Sequence, residues 1–518
     1  MQKKFWLALS LLGLIILTEF IAKFPVLFHA LNTPPGYWFV KQNTFFDAWD
    51  INVYVSMIRY GQRAGMMVQN MYTTIPHPGM FVYQFYALLG VINRFLQLDP
   101  FLLFHLASVV TGIILILVVY HLTQEFFADT FFRLISTVVV VLGGGFGWLP
   151  YFYKAADIRG PGFTLYSALD KGHEGLSTAC YLIGTVYLFR YWKRGRLNDL
   201  LISTAATVIT VMIHPYMILL FLAISSSLLV WQVVKKIQPT MFWSIVPTSL
   251  FSAVYYFFVF YLSRTNPGFS GLIGQYLPKT ELASYIAGVG ILGLFLIWEF
   301  LFGSWKNEDI VFLKLCALFH LIFVYLPVGF SPLYIRGFFF WIVLLAFIGL
   351  KHLISNTRLQ TGIALGVLII ALFSRGYIFL DLLITRVNNP FYFLPLSEAK
   401  AFETMKQFPA DSRILSLYYM GNHIPAHTDN RVYYGHWFNT PNGKETAEQV
   451  KRFYLLGPAQ QQKFLSDHGI DYVYYGSEER GLRLKNNLSV NNPFPHFSIV
   501  YQNEDVIIYR LDKINNYR

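Results

Sequence analysis

Residues 44–62 read TFFDAWDINVYVSMIRYGQ. Two carboxylates, Asp47 and Asp50, stand three positions apart among aromatic and aliphatic side chains. Asp47, Asp50 and Tyr54 fall at i, i+3 and i+7, so a helix over 47–63 carries them on one face, with Ile51, Val55 and Ile58 on a neighbouring apolar one. Such a pair either caps a helix at a membrane surface, since Asp is a favoured N-cap, or supplies acid/base groups to an enzyme. Capping accounts for Asp47 better than for Asp50, which is already inside the helix. The rest of the chain decides where the segment lies.

Of 518 residues, 55% are hydrophobic and only 13% charged, against roughly 25% charged in soluble proteins. Most of the chain therefore belongs in lipid. The net charge of +12 comes from basic residues in short loops between apolar runs, the pattern that orients membrane proteins, and gives no support to nucleic-acid binding. Cys180 and Cys316 both lie in apolar runs, so neither a disulfide framework nor a metal site is indicated. The N-terminal run from Phe5 to about Lys23 exceeds a signal-peptide core and lacks a nearby small-residue cleavage site, which predicts an uncleaved first span with a cytoplasmic N-terminus.

Further runs of spanning length lie near 78–97, 101–121, 131–150, 174–192, 198–213, 216–234, 240–262, 283–303, 309–328, 331–350 and 360–384. The basic loop Arg190–Arg196, the pair Lys235 and Lys236, and Lys351 with Arg358 are all cytoplasmic if the helices between them alternate. The same alternation places the loops 151–173 and 263–282, the His214-Pro215 break, the start of 331–350 and the tail on the external side. One early candidate must then fail to cross, and 78–97 is the weakest, with Pro78, Gly79, Gln84, Asn93 and Arg94. The expectation is a polytopic α-helical membrane protein of about 11 transmembrane helices, N-in and C-out. It comprises a membrane domain over 1–390, with a first external loop at 24–77, and a soluble extracytoplasmic α/β domain over 397–518. In the tail, helices are predicted near 398–408, 446–456 and 458–467. Strands are predicted at Arg413–Tyr418, Arg431–Tyr434 and Ile470–Tyr475, with a hairpin from Phe497–Tyr501 and Val506–Leu511.

On this topology Asp47, Asp50 and Tyr54 lie in the first external loop, and other polar landmarks share their side. His173 and Glu174 open the run 174–192, where helix capping is their bland role. His214 interrupts a long apolar stretch and is otherwise a satisfied turn histidine. Arg336 stands at the external end of 331–350 and either snorkels to headgroups or clamps a phosphate bidentately. Together they suit a pocket for an anionic, lipid-borne substrate. In the tail, Gly421–Asp429 reads as an imidazole-rich loop; His423, His427 and Asp429 lack a fourth ligand for a metal site, and the loop is better suited to folding over a cavity. His436 and Trp437 could stack on a sugar ring or be ordinary surface groups.

These residues resemble the GT-C superfamily of integral membrane glycosyltransferases, which contains the protein O-mannosyltransferases and the lipid A aminoarabinose transferase. In that family an acidic residue follows the first helix, commonly as Asp-Glu-x-x-Tyr; Asp50-Ile51-Asn52-Val53-Tyr54 matches its first Asp and its Tyr, with Ile51 in place of the second acid. Asn70–Gly79, NMYTTIPHPG, resembles the family's Pro-rich entry to the next membrane segment. The resemblance implies a polyprenyl-phosphate-linked sugar donor, transfer to a glycan, lipid or protein hydroxyl with inversion, and a site on the non-cytoplasmic face of the cell membrane. Asp50 or Asp47 could supply the base; the match to Tyr54 favours Asp50, with Asp47 as orienting partner or alternative base, and Arg336 resembles, by position, the family's lipid-phosphate arginine. Some members use a divalent metal, but the spacing here is Asp-x-x-Asp, so no obligate metal is expected. Two other classes fit less well. A lipid-linked-glycan flippase or transporter would carry mid-bilayer polar groups and inverted repeats, and a surface-polysaccharide ligase or polymerase would use a large late loop.

Overall fold

The computed structural model describes residues 2–236, 240–272 and 277–511; the expected loop 263–282 lies partly outside the described residues. Long-range contacts divide the chain into two compact units. The first comprises Met1–Leu27, Phe104–Phe257 and Tyr276–Ile384, and the second Phe28–Leu103, Phe258–Gln275 and Thr385–Arg518.

The first unit is helical. Across the chain, six described segments are long and apolar enough to cross a membrane: Phe5–Leu31, Pro100–Thr123, Met217–Val234, Phe242–Thr265, Ser331–Leu353 and Thr357–Leu383. The pair Leu282–Val289 and Leu292–Phe302, bent by 105°, makes a seventh if it is one span. This is fewer than the 11 expected. The difference lies in helices such as Gly172–Arg194, whose first half carries His, Glu, Ser and Thr, and in the shorter apolar helices Thr130–Leu142 and Leu197–Ile213. Ser331–Leu353 is the hub, 94% buried where the other spans are half buried or less. Its FFFWIVLLAFIGL is apolar on every side, as a helix surrounded by protein must be.

The second unit gathers the stretch after the first helix with the tail. Strand β1 (Tyr37–Phe39) pairs antiparallel with β2 (Phe393–Pro395). A five-stranded sheet follows from β3 (Arg413–Leu415), β4 (Arg431–Val432), β5 (Tyr472–Tyr475), β6 (Ser498–Gln502) and β7 (Ile507–Arg510), in the order β4-β3-β5-β7-β6. β3 runs parallel to both neighbours, and β5, β7 and β6 are antiparallel. Helix Gly443–Phe453 covers one face, burying Ala447, Val450 and Phe453 at helical spacing on Leu415, Val473 and Phe494.

Two tail expectations change. The expected loop at Gly421–Asp429 is mostly a helix, Tyr418–His427, because Asn422 and His423 are buried and hydrogen-bonded on it. The strand expected to reach Tyr418 ends at Leu415, since the Leu417 amide donates to the Glu479 carboxylate (2.8 Å) instead of to a neighbouring strand. The segment expected near 78–97 forms helix Gln84–Leu96, 13 residues or about 20 Å, short of the ~30 Å a span requires.

Helix Ala48–Ala64 packs on Gln84–Leu96 at very close range. A Cβ on Gly61 would lie 3.0 Å from the Ala87 Cα, and one on Gly90 would lie 2.6 Å from the Gln62 amide nitrogen and meet the Ile58 carbonyl. Only glycine at both positions allows this contact. One turn or more along, Tyr54 and Tyr86 stack with centroids 4.5 Å apart.

Candidate active site

Asp50 stands in the first turn of helix Ala48–Ala64, its side chain a quarter exposed. Its Oδ1 lies 3.0 Å from His436 Nε2, and Tyr54 donates to its Oδ2 at 3.5 Å, the limit of a hydrogen bond. The other ring nitrogen, His436 Nδ1, faces the backbone amides of Phe438 and Asn439 at 3.2 Å each. Amides only donate, so Nδ1 accepts and carries no proton in this arrangement. Nε2 therefore carries the hydrogen and donates to the Asp50 carboxylate.

The pairing joins residues 386 positions apart, and a buried amide network sets its register. Asn52 Nδ2 donates to Asn422 Oδ1 (2.7 Å), and Asn422 Nδ2 donates to the carbonyls of Gly435 (3.0 Å) and Trp49 (3.3 Å). Gly435 precedes His436, and Asn52 follows Asp50 by two residues. His423 closes the network, its Nδ1 accepting from Asn52 (3.1 Å) and its Nε2 donating to the Pro390 carbonyl (2.7 Å). Burial lowers the His423 imidazole to about 4, so it stays neutral in this role. Further down the helix, Arg59 pairs with Asp429 (3.0 Å) and Arg63 with Asp411 (2.8 Å), anchoring it to the sheet domain.

Aromatic rings surround the carboxylate. Tyr83 donates to Asn439 Oδ1 (2.9 Å), while Asn439 Nδ2 faces His436 Nδ1 (3.1 Å). Burial, reinforced by the Asp50 charge, pushes the Tyr83 hydroxyl above its usual range; burial does the same to Tyr418, again with help from Asp50. Trp437, next in sequence to His436, is 49% exposed and sits 5.5 Å from the Tyr418 ring, which leaves part of the indole open to a ligand.

Asp47 occupies the N-cap position at φ 52°, but its side chain makes no capping hydrogen bond; its carbonyl instead accepts from the Asp50 amide (3.0 Å). Both ring nitrogens of His423 are engaged by Asn52 and Pro390, and His427 stacks between Phe101 and Phe402 (4.9 and 4.8 Å). Among the described residues no group of three His, Cys, Asp or Glu side chains is arranged to hold a metal ion.

Within the first unit, the other four expected residues come together. Arg336 Nη2 pairs with Glu174 Oε1 at 3.0 Å and Nη1 donates to the Tyr216 hydroxyl. His214 Nδ1 lies 2.8 Å from Ser177 Oγ, and the His173 and His214 rings are 5.5 Å apart. Arg336 is thus held by a buried carboxylate and a phenol. Sequence reasoning missed Tyr216 as its partner, although the residue follows the His214-Pro215 break it singled out. It also missed Arg375, buried within a span with its guanidinium 4.7 Å over the Tyr166 ring.

Solved structures share this fold. The archaeal oligosaccharyltransferase AglB from Archaeoglobus fulgidus, in complex with an inhibitory peptide and a dolichol-phosphate, aligns over 99% of this chain and 75% of its own, with a TM-score of 0.54 at 11% identity. ArnT from Cupriavidus metallidurans bound to undecaprenyl phosphate aligns over 89% of this chain and 95% of its own, with a TM-score of 0.53 at 13% identity. The chain has the GT-C fold. Another GT-C structure, the arabinofuranosyltransferase AftD from Mycobacteria, matches 98% of this chain and 40% of its own length, with a TM-score of 0.59 at 13% identity. No protein-family model and no curated protein matches the sequence. At identities this low the GT-C likeness speaks for fold alone, and the chemistry rests on the residues above.

Proposed function

We propose that this protein is a membrane glycosyltransferase that moves a sugar from a polyprenyl-phosphate donor to an acceptor hydroxyl on the non-cytoplasmic face, with inversion at the anomeric carbon. The observation that carries the reading is the Asp50 carboxylate accepting from His436 at 3.0 Å, in a chain of GT-C fold. The solved structures of AglB with a dolichol-phosphate and ArnT with undecaprenyl phosphate support the donor class.

In this mechanism the acceptor oxygen bonds to the anomeric carbon as the bond from that carbon to the phosphate oxygen breaks. The bonding pair leaves on the phosphate, and the hydroxyl proton passes to Asp50. His436 is a positioning residue whose donated hydrogen bond aims the carboxylate; Trp437 offers a face for the sugar ring. For the first unit, Arg336 is the group suited to a lipid phosphate, its fork oriented by Glu174 and Tyr216. Asp47 is left as an orienting group. The sugar and the acceptor are open.

The test uses the full chain in lipid nanodiscs with radiolabelled polyprenyl-phosphate sugars. Asp50→Asn should lower transfer by roughly 10²–10⁴-fold, the usual yield of a general base, in protein with an unchanged melting temperature. Full transfer by that variant removes Asp50 as base, and a wild type that consumes no polyprenyl-phosphate sugar removes the donor class.

A further inference from the structure

The second unit contains a cleft of about 520 Å³, within the usual size range of ligand sites, that the reading above leaves without a task. Three stretches wall it: the loop 73–76, residues 440–446 at the start of helix Gly443–Phe453, and residues 466–469 at the C-terminal end of helix Pro458–Asp467. Arg413, at the start of β3, and Tyr433, just after β4, also line it.

We propose that this cleft binds a neutral glycan and serves as the acceptor subsite; the inference rests on the glycosyltransferase reading. The chemistry of the walls selects the ligand. Thr73, Thr74 and Ser466 offer hydroxyls, Asn442 and Gln449 planar amides, and Glu445 and Asp467 carboxylates. Each sugar hydroxyl both donates and accepts, so vicinal hydroxyls are matched by amides, which do both, and by carboxylates, which accept twice. Tyr433 adds a ring, its hydroxyl donating to Gln449 Oε1 (2.8 Å) and its face against His468 at 4.8 Å.

Other ligand classes fit poorly. An anionic ligand would meet Glu445, while Asp467 is already paired with Lys463 (2.7 Å) and the cation Arg413 lies 3.4 Å from Asp471. An extended peptide would need a free sheet edge or apolar anchor pockets. The edge strand β4 is two residues long, and its Val432 amide already donates to the Met71 carbonyl (2.9 Å).

The walls are also held in place before any ligand arrives. Thr446 Oγ1 donates to the Pro441 carbonyl (2.9 Å), and Thr73 Oγ1 accepts from the Ile75 amide (3.2 Å). Such preorganisation reduces the entropy lost on binding. Finally, the cleft adjoins Asp50's partner. Thr440 Oγ1 accepts from the amides of His436 (3.3 Å) and Gly435 (3.4 Å). The four residues from His436 to Thr440 span at most about 14 Å, so a glycan seated here ends near the proposed base.

The experiment is saturation-transfer NMR on the full chain in nanodiscs, with maltopentaose, mannopentaose, a hexauronate and a serine-containing hexapeptide as probes. Saturation should pass to at least one neutral pentasaccharide, with a dissociation constant near ~1 mM. Ser466→Trp, at an exposed wall position, should weaken that binding by about tenfold or more, and Glu445→Ala should weaken it too, both with unchanged melting temperatures. Asp50→Asn should keep the binding while losing sugar transfer. Silence from both pentasaccharides at about 20 mM, binding that survives Ser466→Trp unchanged, or displacement of the sugar by the peptide or uronate overturns the proposal. If pentasaccharide binding holds but wild type consumes no polyprenyl-phosphate sugar, the cleft assignment stands and the reaction assignment falls.

Discussion

Replacing His436 by alanine tests the link between geometry and catalysis most directly. His436 Nε2 donates to Asp50 Oδ1 at 3.0 Å, with the histidine side chain 2% and the aspartate side chain 25% exposed. Little water competes at the donor, so the bond belongs to the class of hydrogen bonds to charged groups worth about 1.5–3 kcal/mol. Without it the carboxylate protonates more readily. At 1.36 kcal/mol per unit, the acidic limb of the kcat/KM profile should move up by about 1–2 pH units. Below the wild-type limb, transfer should fall by about 10- to 150-fold, and most of the loss should return on raising the pH. His436→Gln, which keeps an N–H donor, should recover part of the shift. The assay is sugar transfer from the polyprenyl donor across a pH series, with melting temperature as control, because the amides of Phe438 and Asn439 lose their acceptor. A uniform loss at every pH, with an unmoved limb, would refute the reasoning and reduce His436 to a packing role.

Three other perturbations follow. Glu174→Gln or Arg336→Met alone strands one member of a buried ion pair, at about 3–5 kcal/mol; the double variant should melt closer to wild type, and an equal fall in transfer for Arg336→Met and the double variant would tie the arginine to the reaction. Gly90→Ala drives a methyl into the backbone of helix Ala48–Ala64, costing about 1–3 kcal/mol and raising hydrogen exchange along that helix; unchanged exchange would mean that the helices separate freely. Glu479, buried next to Glu478, is raised to about 8 by burial and by that neighbour. The folded state therefore holds its proton above 4.5, so this contribution to stability is full at low pH and is lost as pH rises through 8. The second unit should lose stability over that window, by up to about 1.4 kcal/mol per pH unit, and Glu479→Gln should flatten the slope in thermal unfolding.

The helix that carries Asp50 was legible in the sequence because its cues are local: helical spacing with Tyr54 and a place just after the first apolar run. The tail strands near 431, 472, 498 and 507 were legible from short β-branched and aromatic runs, which also explains why their ends were imprecise. The partner of Asp50 was not legible. His436 stands beside Trp437, and the pair suggested sugar stacking; nothing in the local pattern says that a ring will meet a carboxylate 386 residues upstream. Asn52 and Asn422 escaped for the same reason, being ordinary amides until burial makes their bonds obligatory. Gly421, Asn422 and Pro425 signalled a loop at Gly421–Asp429, but buried hydrogen bonds outweighed these local preferences. Polar residues in Gly172–Arg194 show the opposite limit, since hydropathy alone cannot say whether a mixed helix crosses lipid or packs in protein.

The long separation of Asp50 and His436 also orders events in time. Chains grow at about 5–20 residues per second, so Asp50 waits roughly 20–80 s for His436 to be made. β1 waits nearly as long for its partner β2, which lies beyond the last membrane-length helix. Until then the Asp50 carboxylate lacks its His436 donor, and a chain interrupted anywhere before the tail carries no assembled Asp50–His436 pair. On the proposed reading, sugar transfer can begin only once the tail has been made and folded.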